Sequence, residues 1–302
     1  MDPLYDVLSL VGATGHVSAS MAAGGSWAVE FEAPVGIKFN AVRRGRCWLR
    51  VDGCAEALPL VEGDCYLLTR ARSYTLFSDP AAVPVPAGPV FLAATGGVAR
   101  VGAGDDFAAI GGAFHFGERA RTLLLDALPP VVHVPGAAAE AATLHWAIDQ
   151  VDAELRQQRL AAGLVAEHLA LVMLIQMLRH HLAADARTTT GWLAGLGDPV
   201  VAVALREMHQ RPAHPWTVAE LARAASVSRS TLAARFRTVV GRAPLEYLTD
   251  WRVELAADRL RRTDDTLARI AQLVGYGSES ALSVAFKRTT GHTPRAYRRH
   301  RP

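Results

Sequence analysis

The sequence is poor in cysteine, which excludes one large class of small, covalently stabilised folds. Its 302 residues include three cysteines, Cys47, Cys54 and Cys65. An odd and sparse set of this kind argues against a disulfide framework. A redox sensor remains as an alternative, and it requires an exposed thiol that a positive neighbour activates. Cys47 has arginines nearby in the sequence, but the apolar residues beside it favour burial.

The sequence also lacks a secretory leader and a long hydrophobic run. The N-terminus, Met1-Asp2-Pro3, opens without the basic and apolar regions of a signal peptide. The longest apolar stretch, 164–178, is interrupted by Glu167, His168 and Gln176, and it is too short and too polar to span a bilayer. We therefore expect a cytoplasmic protein with no membrane partner.

Lysine is almost absent, and arginine carries the positive charge. Lys38 and Lys287 are the two lysines of the chain, whose net charge is +3. Residues 199–302 hold 18 Lys and Arg against nine Asp and Glu, whereas residues 1–198 hold 14 against 20. A basic C-terminal third beside an acidic remainder is typical of a nucleic-acid-binding module joined to a second domain. The length of the chain also fits two domains.

The C-terminal third contains one pattern twice, first at 221–244 and again at 270–294. The copies share identical residues at an offset of fifty. These pairs are Leu232 and Leu282, Phe236 and Phe286, Gly241 and Gly291, Pro244 and Pro294, and Tyr247 and Tyr297. Identities at one fixed offset indicate an internal repeat.

Each copy predicts a helix, a tight turn and a second helix. The small residues Ala222 and Ala271 fit positions where two helices cross closely, and Ser228 and Ser278 are suitable N-caps for the second helix. This is the helix-turn-helix unit, whose second helix lies in a DNA major groove. The alternative is an ordinary bundle with solvated polar faces, and the tandem recurrence of the cap, the aromatic residue and Gly-x-x-Pro disfavours it.

The segment between the copies, 244–262, predicts one continuous helix. Pro244 suits its first turn, and leucines follow at helical spacing. About 19 residues at 1.5 Å each make a rod of ~28 Å. Such a rod places two recognition helices roughly one DNA turn, about 34 Å, apart.

Residues 216–299 resemble the DNA-binding domain of AraC/XylS-type transcription regulators. The motifs that carry the resemblance are Thr217-Val218-Ala219-Glu220-Leu221-Ala222, Pro244-Leu245-Glu246-Tyr247-Leu248, Val274-Gly275-Tyr276 and Pro294-Arg295-Ala296-Tyr297-Arg298. With the outward faces of the recognition helices, the resemblance implies these DNA contacts: Ser228, Arg229, Ser230, Ala234, Arg237, Ser278, Glu279, Ser280, Ser283, Val284 and Lys287. Family members often carry long polar residues at the positions of Ala234 and Val284. Here thymine methyl and phosphate contacts have to contribute more.

The first 135 residues predict many short strands. The strand-like runs are 26–31, 37–42, 47–51, 64–69, 74–78, 90–94 and 107–116. The Pro-rich stretch 81–89 and the Gly-rich stretch 96–104 are expected to be loops. This spacing predicts a small barrel or jelly roll. The order Gly45-Arg46-Cys47-Trp48-Leu49-Arg50-Val51-Asp52-Gly53, then Gly63-Asp64, resembles the cupin-type ligand-binding domain at the N-terminus of many AraC-type regulators, over about residues 5–135.

Many cupins hold a metal through histidines on one strand and on the following hairpin. In this sequence Asn40 and Val42 stand where the first ligands are expected, and Tyr74 where the last is expected. We therefore expect no metal and no cofactor, and a small apolar or amphipathic effector in the barrel instead. Its candidate lining residues are Asn40, Trp48, Tyr66, Tyr74 and His115, and for each of them a plain core or surface role is the alternative.

Helices are expected to follow the strands, at 118–128, 137–159, 164–182 and 198–210, with a linker at 186–197. The helix 164–182 is apolar on most sides, so it is either internal or packed against a second subunit. The family resemblance favours a homodimer. The domains are thus expected at 1–185 and 198–302.

Together these features predict an α+β protein with a cupin-like barrel and a C-terminal double helix-turn-helix domain. The expected function is sequence-specific transcription regulation on promoter or operator DNA under a small-molecule effector, without enzymatic activity, and with RNA polymerase as a further partner. Two alternatives stay open. One is a cupin-type enzyme with a DNA-binding tail, and the other is a non-specific architectural DNA-binding protein.

Overall fold

The computed structural model describes residues 3–11, 14–115, 128–157, 159–184 and 190–299. Their contacts divide the chain into two compact units. The barrel unit spans residues 12–184, and the helical unit joins residues 185–302 to residues 1–11. The predicted helix at 118–128 lies outside the described residues except for its last position, and so does the side chain of His115.

The barrel unit consists of two β-sheets. The strands are β1 (Thr14–Gly24), β2 (Ala28–Phe31), β3 (Ile37–Arg44), β4 (Arg46–Val51), β5 (Leu58–Val61), β6 (Cys65–Leu68), β7 (Tyr74–Phe77), β8 (Val85–Pro86), β9 (Val98–Gly102), β10 (Phe107–His115) and β11 (Val131–Val134). One sheet has the order β11-β6-β3-β10-β1-β9, and the other has the order β5-β4-β7-β2-β8. Most neighbouring strands are antiparallel, as expected for a jelly roll.

Alternating residues of both sheets form one shared core. Val42 and Leu68 from the first sheet pack with Leu49, Val51 and Leu76 from the second, all at most 4% exposed. Because side chains alternate across a strand, the same strands also bury a second face outside this core, where Phe39 and Phe114 lie 5.0 Å apart. A strand pattern buried on both faces needs a further covering layer.

Helices supply that layer. Besides the short α2 (Ala87–Leu92), the barrel unit contains α3 (Ala141–Gln157) and α4 (Ala162–Ala184), which pack on each other, and α4 packs on β1 and β11. Residues 162–183 form a 22-residue segment with a mean hydropathy of 1.4, so this helix is longer than the predicted stretch, and by length and composition it passes a test for a membrane span. Core helices of soluble proteins pass the same test.

A buried carboxylate ties the end of the barrel together. Asp64 accepts hydrogen bonds from the backbone nitrogens of Val61 (3.1 Å) and Gly136 (2.9 Å), and its Oδ2 lies 3.0 Å from Nε2 of His133 on β11. Nearby, Nε2 of His145 on α3 lies 2.6 Å from the carbonyl oxygen of Gly63. These contacts satisfy a carboxylate that is 4% exposed, and they fix α3 and β11 to the β5–β6 turn.

Three predictions about the barrel unit were wrong. The stretch 81–89 was expected to be a loop, but residues 85–86 form β8 and α2 begins at Ala87. The stretch 90–94 was expected to be a strand, but it lies largely in α2. Pro89 falls in the first turn of that helix, where a missing N–H costs no helical hydrogen bond. The Gly-rich stretch 96–104 was expected to be a loop, yet 98–102 form β9, which pairs with β1 in parallel. Ala99 is fully buried there, and this burial outweighs the surrounding glycines.

The helical unit contains nine described helices. They are α1 (Pro3–Val11), α5 (Trp192–Gly197), α6 (Val201–Gln210), α7 (Val218–Ala224), α8 (Arg229–Val240), α9 (Pro244–Arg262), α10 (Leu267–Leu273), α11 (Glu279–Thr290) and α12 (Pro294–Arg299). The helix predicted at 244–262 is α9 without any change of bounds.

Two parts of the helical unit differ from the predicted domain organisation. The predicted linker 186–197 ends in α5, because Trp192 and Leu193 are buried and Gly195 packs closely against Leu205 and Val240. The N-terminus was assigned to the barrel domain, but α1 packs on α6. Asp6 Oδ2 of α1 lies 3.4 Å from Nδ1 of His209, which is otherwise buried against Trp251 with ring centroids 4.0 Å apart.

The internal repeat reappears in the packing. Ser228 and Ser278 cap α8 and α11, each accepting a hydrogen bond at 3.1 Å from the backbone nitrogen three residues on. Both helices have 12 residues and end at a glycine in the left-handed region. The rings of Phe236 and Tyr247 meet edge to face at 5.8 Å, and those of Phe286 and Tyr297 do so at 5.3 Å.

The turn inside each repeat has the same backbone but a different residue. Ser226 has φ +55°, and its counterpart Gly275 has φ +86°. In each turn the next backbone nitrogen, of Val227 or Tyr276, donates to the carbonyl of Ala222 or Ala271 at 3.0 Å or 2.8 Å. A side chain in the left-handed region costs about 1–2 kcal/mol, so the first copy carries strain that the second avoids.

Ser226→Gly should therefore raise the free energy of unfolding of the helical unit by about 0.5–1 kcal/mol. Gly275→Ala should lower it by about 1–3 kcal/mol, since the new methyl group would lie 2.7 Å from Cα of Ala213. Urea unfolding followed by circular dichroism measures both changes. Gly277→Ala, at a site with open space around it, is the matched control. A loss of stability in Ser226→Gly would contradict the strain.

Candidate nucleic-acid interface

Helices α8 and α11 present equivalent outward faces. Leu232, Phe236, Leu282 and Phe286 are fully buried and face the core, so the opposite faces point to solvent. The predicted DNA-contacting residues are exposed with one exception, the half-buried Ser283: Ser228, Arg229, Ser230, Ala234, Arg237, Ser278, Glu279, Ser280, Val284 and Lys287. The structure thus gathers them into two matched surfaces, called here the first and second reading faces.

The start of each reading face is held by its serine cap. The Ser228 hydroxyl lies 2.9 Å from that of Ser230 and 2.8 Å from that of Thr231. Serine caps satisfy a backbone donor that the first helical turn leaves free, and they leave the remaining N–H groups pointing outward. A helix start of this kind, aimed at a groove, favours negative charge such as phosphate.

The two reading faces differ in charge at their first helical residue. Arg229 begins α8, and Glu279 begins α11. Arginine pairs well with guanine in the major groove, whereas a carboxylate accepts from the amino group of cytosine. The repeat is therefore not symmetric in charge at the start of its two reading faces.

The cations around the reading faces fall into two groups. Arg235 and Arg242 are engaged, because they pair with Asp198 (2.7 Å) and Asp250 (2.5 Å). Arg237 and Lys287, at matched positions, are exposed and form no ion pair within the described part of the chain. Cations of the second kind, which within the described part of the chain also include the exposed Arg229 and Arg288, present unneutralised charge to a phosphate backbone.

An exposed valine lies at the centre of the second face. Val284 is 69% exposed, which is costly for a β-branched apolar side chain on an otherwise polar surface. Ala234 occupies the matching place on the first face. Small apolar groups at these places fit the methyl group of thymine. Sequence reasoning missed Thr231 and Ala281, which are exposed beside them and lie at the same fifty-residue offset.

Three of the predicted effector residues come together inside the barrel. Register pairs Asn40 on β3 with Tyr66 on β6 and with Gly111 on β10, so their side chains share the inner face. Oδ1 of Asn40 fills the space that a side chain at Gly111 would need, 2.3 Å from that Cβ position. Tyr74 points into the same core from the opposite sheet and stacks on Phe31 at 4.6 Å.

The hydroxyl group of Tyr66 is buried without a visible hydrogen-bond partner among the described residues. Tyr66 is 1% exposed, and its hydroxyl oxygen has no hydrogen-bond partner among the described residues. Burial raises the pKa of this phenol well above its ordinary value, so it stays neutral and acts as a donor. Leaving a buried polar group unpaired costs about 1–3 kcal/mol, and a bound molecule with an acceptor atom would remove that cost.

Of the other two predicted effector residues, Trp48 lies elsewhere, and the side chain of His115 is outside the described residues. Trp48 stands on the opposite face of β4 from the core residues Cys47 and Leu49, where it stacks on Phe77 at 6.0 Å. The backbone of His115 ends β10. Sequence reasoning missed an open cleft at one end of the barrel, whose lining includes the core aromatic Trp27 together with Arg46 and Asp106.

Two of the three cysteines, the buried Cys47 and Cys65, are poor candidates for redox sensing, whereas Cys54 is half-buried. Burial, reinforced by the negative charge of Asp64, raises the pKa of the Cys47 thiol to about 12. Burial likewise raises the pKa of the Cys65 thiol to about 12. Because the thiolate is the reactive form, both groups are unreactive near neutral pH. Over the described ranges, no group of three or more His, Cys, Asp or Glu side chains is placed to hold a metal ion.

Comparison with known proteins places both units in families. A family model described as cupin matches residues 2–183, and one described as a helix-turn-helix domain matches residues 221–300. The chain is 59% identical over 300 residues to a Streptomyces lividans protein described as an AraC-like transcription regulator, covering 99% of each chain. A Streptomyces antibioticus protein with the same description is 60% identical over 300 residues, also covering 99% of each chain.

The chain belongs to the AraC-like transcription regulators. A third relative, the HTH-type transcriptional regulator AlkR from Acinetobacter baylyi, is 34% identical over 177 residues and covers 58% of each chain. The family, the α+β fold class and the DNA-binding regulatory function expected from the sequence are thereby confirmed.

Tyr66→Phe should raise the free energy of unfolding of the barrel unit by about 1 kcal/mol, because it deletes a buried hydroxyl that has no partner. Tyr247→Phe is the matched control, since that buried hydroxyl lies 2.8 Å from Nε2 of His209. The same one-atom deletion there should lower the stability of the helical unit by about 1 kcal/mol. Urea unfolding of each variant tests this, and a destabilised Tyr66→Phe would show that the hydroxyl is paired.

Proposed function

We propose that this AraC-like regulator binds operator DNA in a sequence-specific way through both reading faces at once. Helices α8 and α11 enter two successive major-groove segments on one side of the duplex, held apart by α9. The observation that carries this proposal is the duplication of cap, core aromatic pair and exposed polar face on either end of one rigid helix.

Phosphate contacts position the protein in this proposal, and base contacts select the sequence. Arg237 and Lys287 supply the phosphate contacts, together with the helix starts at Ser228 and Ser278. Base edges are touched by Arg229 and Ser230 on the first face. On the second face they are touched by three polar residues and one apolar residue: Glu279, Ser280, Ser283 and Val284.

The primary test compares binding of the full chain to DNA from upstream of its own gene and to random DNA, at two salt concentrations. We expect selective binding by a factor of about 10³ or more that persists at physiological salt. Equal affinity for the two DNAs, with a steep loss of affinity as salt rises, would contradict sequence-specific recognition and favour an architectural DNA-binding protein.

Two substitutions distinguish the phosphate contacts, which position the protein, from the base contacts, which select the sequence. Arg237→Ala should weaken binding to every sequence and reduce the slope of log affinity against log salt by about 1. Ser280→Ala should leave that slope unchanged and relax the preference at one base pair, at a cost of about 1 kcal/mol for the best sequence.

Arg235→Ala is the matched control for Arg237→Ala. It removes the same charge from the same helix, but its guanidinium is engaged by Asp198. Its effect on the salt slope should be smaller. The assignment fails if all three variants lose specific and random binding to the same extent.

The barrel unit is proposed to bind a small effector at Asn40, Tyr66 and Tyr74. The support is an aromatic and aliphatic interior that contains an unpaired hydroxyl. Such a site fits a small, largely apolar molecule that carries a hydrogen-bond acceptor. Binding would act by favouring the dimer that matches the operator. A molecule that changes DNA affinity in the wild type but not in Tyr66→Phe would support the site, and equal responses would remove it.

The active form is proposed to be a homodimer that uses α4. Leu164 and Val165, at the start of α4, are 57% and 39% exposed, so the described residues of one chain leave this end of an apolar helix uncovered. Leu164→Glu with Val165→Glu should shift the mass in light scattering from dimer to monomer. Val83→Glu, at an isolated exposed valine, is the control and should leave the mass unchanged. A wild type that is monomeric at micromolar concentration would refute the dimer.

The proposal includes no enzymatic activity, places the protein in the cytoplasm and keeps RNA polymerase as a partner on promoter DNA. The rival reading is a cupin-type enzyme that carries a DNA-binding tail. It would require turnover or a stoichiometric metal in the purified protein, and metal analysis decides between the two.

A further inference from the structure

Helix α9 passes from one hydrophobic core to another within a single turn. Trp251 packs against His209 of α6 on the side of the first helix-turn-helix unit. Val253, two residues later, belongs to the core of the second unit together with Ile270 and Phe286. Arg252 lies between them, at the seam of the two units.

The side chain of Arg252 reaches back across this seam. Its Nε donates to the carbonyl oxygen of Pro212 at 2.7 Å, and its Nη2 donates to that of His214 at 2.8 Å. Both carbonyls belong to residues 211–216, called here the bracket loop, which leads from α6 into the first helix of the first unit. A guanidinium fork suits two acceptors held side by side, whereas an ammonium group does not.

The bracket loop itself is well braced. Its backbone bonds join His214 to Arg211 and Trp216 to His214, at 3.1 Å and 2.8 Å. The indole nitrogen of Trp216 donates to the Arg211 carbonyl at 3.1 Å, and the Arg211 guanidinium lies over the indole ring at 4.6 Å. A loop closed by such bonds is rigid, so a displacement at one side of the loop also displaces its other side.

The far side of the bracket loop touches the second helix-turn-helix unit. A Cβ at Gly275, in the turn of that unit, would lie 2.7 Å from Cα and 2.8 Å from the carbonyl oxygen of Ala213. The adjacent ring of Tyr276 lies 5.9 Å from the guanidinium carbon of Arg252. The first unit, α9 and the second unit therefore meet at one small loop.

This second connection has a mechanical consequence. Two units joined by α9 alone would share only a rod that can bend and twist. A second contact beside α9, through the bracket loop, restrains both the bending and the twisting of one unit relative to the other. On DNA, one base pair of extra spacing shifts a half-site by about 3.4 Å and rotates it by about 34°. The stiffness of the seam then decides how strictly the spacing between two half-sites is read.

We propose that Arg252, acting through the bracket loop, sets the half-site spacing that this regulator accepts. Arg252 is a positioning residue here and contacts no base. The inference rests on the proposed function, in which both reading faces bind DNA together.

The test begins with a duplex that the wild-type full chain selects from a randomised pool. The two half-sites are located by footprinting, and a panel of duplexes is made whose spacing is changed by one or two base pairs in either direction. Fluorescence anisotropy then gives an affinity for each spacing. The wild type should lose about tenfold for each base pair of displacement, as for one mismatched pair.

Arg252→Ala and Arg252→Lys should flatten this profile to about threefold or less over the same displacements. The lysine variant keeps the positive charge and most of the packing, so it carries the test if the alanine variant unfolds. Arg262→Ala is the matched control: it removes the same charge from the same helix, where the guanidinium pairs with Asp258 at 2.8 Å. The control should keep the sharp wild-type profile.

Two results would overturn the inference. One is an unchanged spacing profile in folded Arg252→Lys and Arg252→Ala. The other is an equal loss of affinity at every spacing, which would make Arg252 a phosphate contact or a purely structural residue. A wild type that binds through a single half-site, with no dependence on spacing, would instead remove the proposed two-face binding and the inference with it.

Discussion

The helical unit depends on one constraint, which is that α9 has to serve two hydrophobic cores. A helix that packs on one partner needs a single apolar stripe, but α9 buries Tyr247, Leu248 and Trp251 in its first half and Val253, Ala256 and Leu260 in its second. The apolar stripe of α9 therefore has to turn from the first core to the second near the middle of the helix, while the helix itself stays continuous. The residue at this point is the half-buried Arg252. Its aliphatic chain packs against neighbouring residues, and its guanidinium group donates to backbone carbonyls. Burial lowers the pKa of this guanidinium, which nevertheless stays charged at any physiological pH.

The elements that local chemistry dictates were predictable from the sequence. Helix α9 has a proline at its start and leucines at helical spacing, and the caps Ser228 and Ser278 recur at a fixed offset. These helices and caps can be recognised from residues a few positions apart, so no information on tertiary contacts was needed. The two reading faces could be listed for the same reason, because once Phe236 and Phe286 are placed inward, helical geometry fixes what points outward.

The elements that tertiary contacts dictate were not predictable. Strand β9 forms among glycines because β1 offers an edge to pair with, and α5 forms in a predicted linker because Trp192 finds a core. The role of Arg252 was not predictable because its two acceptors are backbone carbonyls 40 and 38 residues away, which leave no trace in the pattern of side chains. Tyr66 and Trp48 looked alike in the sequence as aromatic residues in strands, and only register separates them: one lies on the inner face of its strand, and the other lies on the outer face.

Both units bury polar groups that have no hydrogen-bond partner among the described residues, and these groups bear on where each unit can respond to a partner. In the helical unit the Tyr247 hydroxyl lies 2.8 Å from Nε2 of His209, whereas the buried indole nitrogen of Trp251 has no such partner. For the DNA binding proposed above, exposed cations without an ion pair among the described residues, such as Arg237 and Lys287, matter more than the net charge, since arginines such as Arg235 already pair with carboxylates. In the barrel the Tyr66 hydroxyl stays unpaired inside a packed core. A state that leaves such a group unsatisfied is the higher in free energy, and a molecule that satisfies it gains that difference on binding. In the proposed function, the barrel therefore binds the effector and the helical unit recognises DNA.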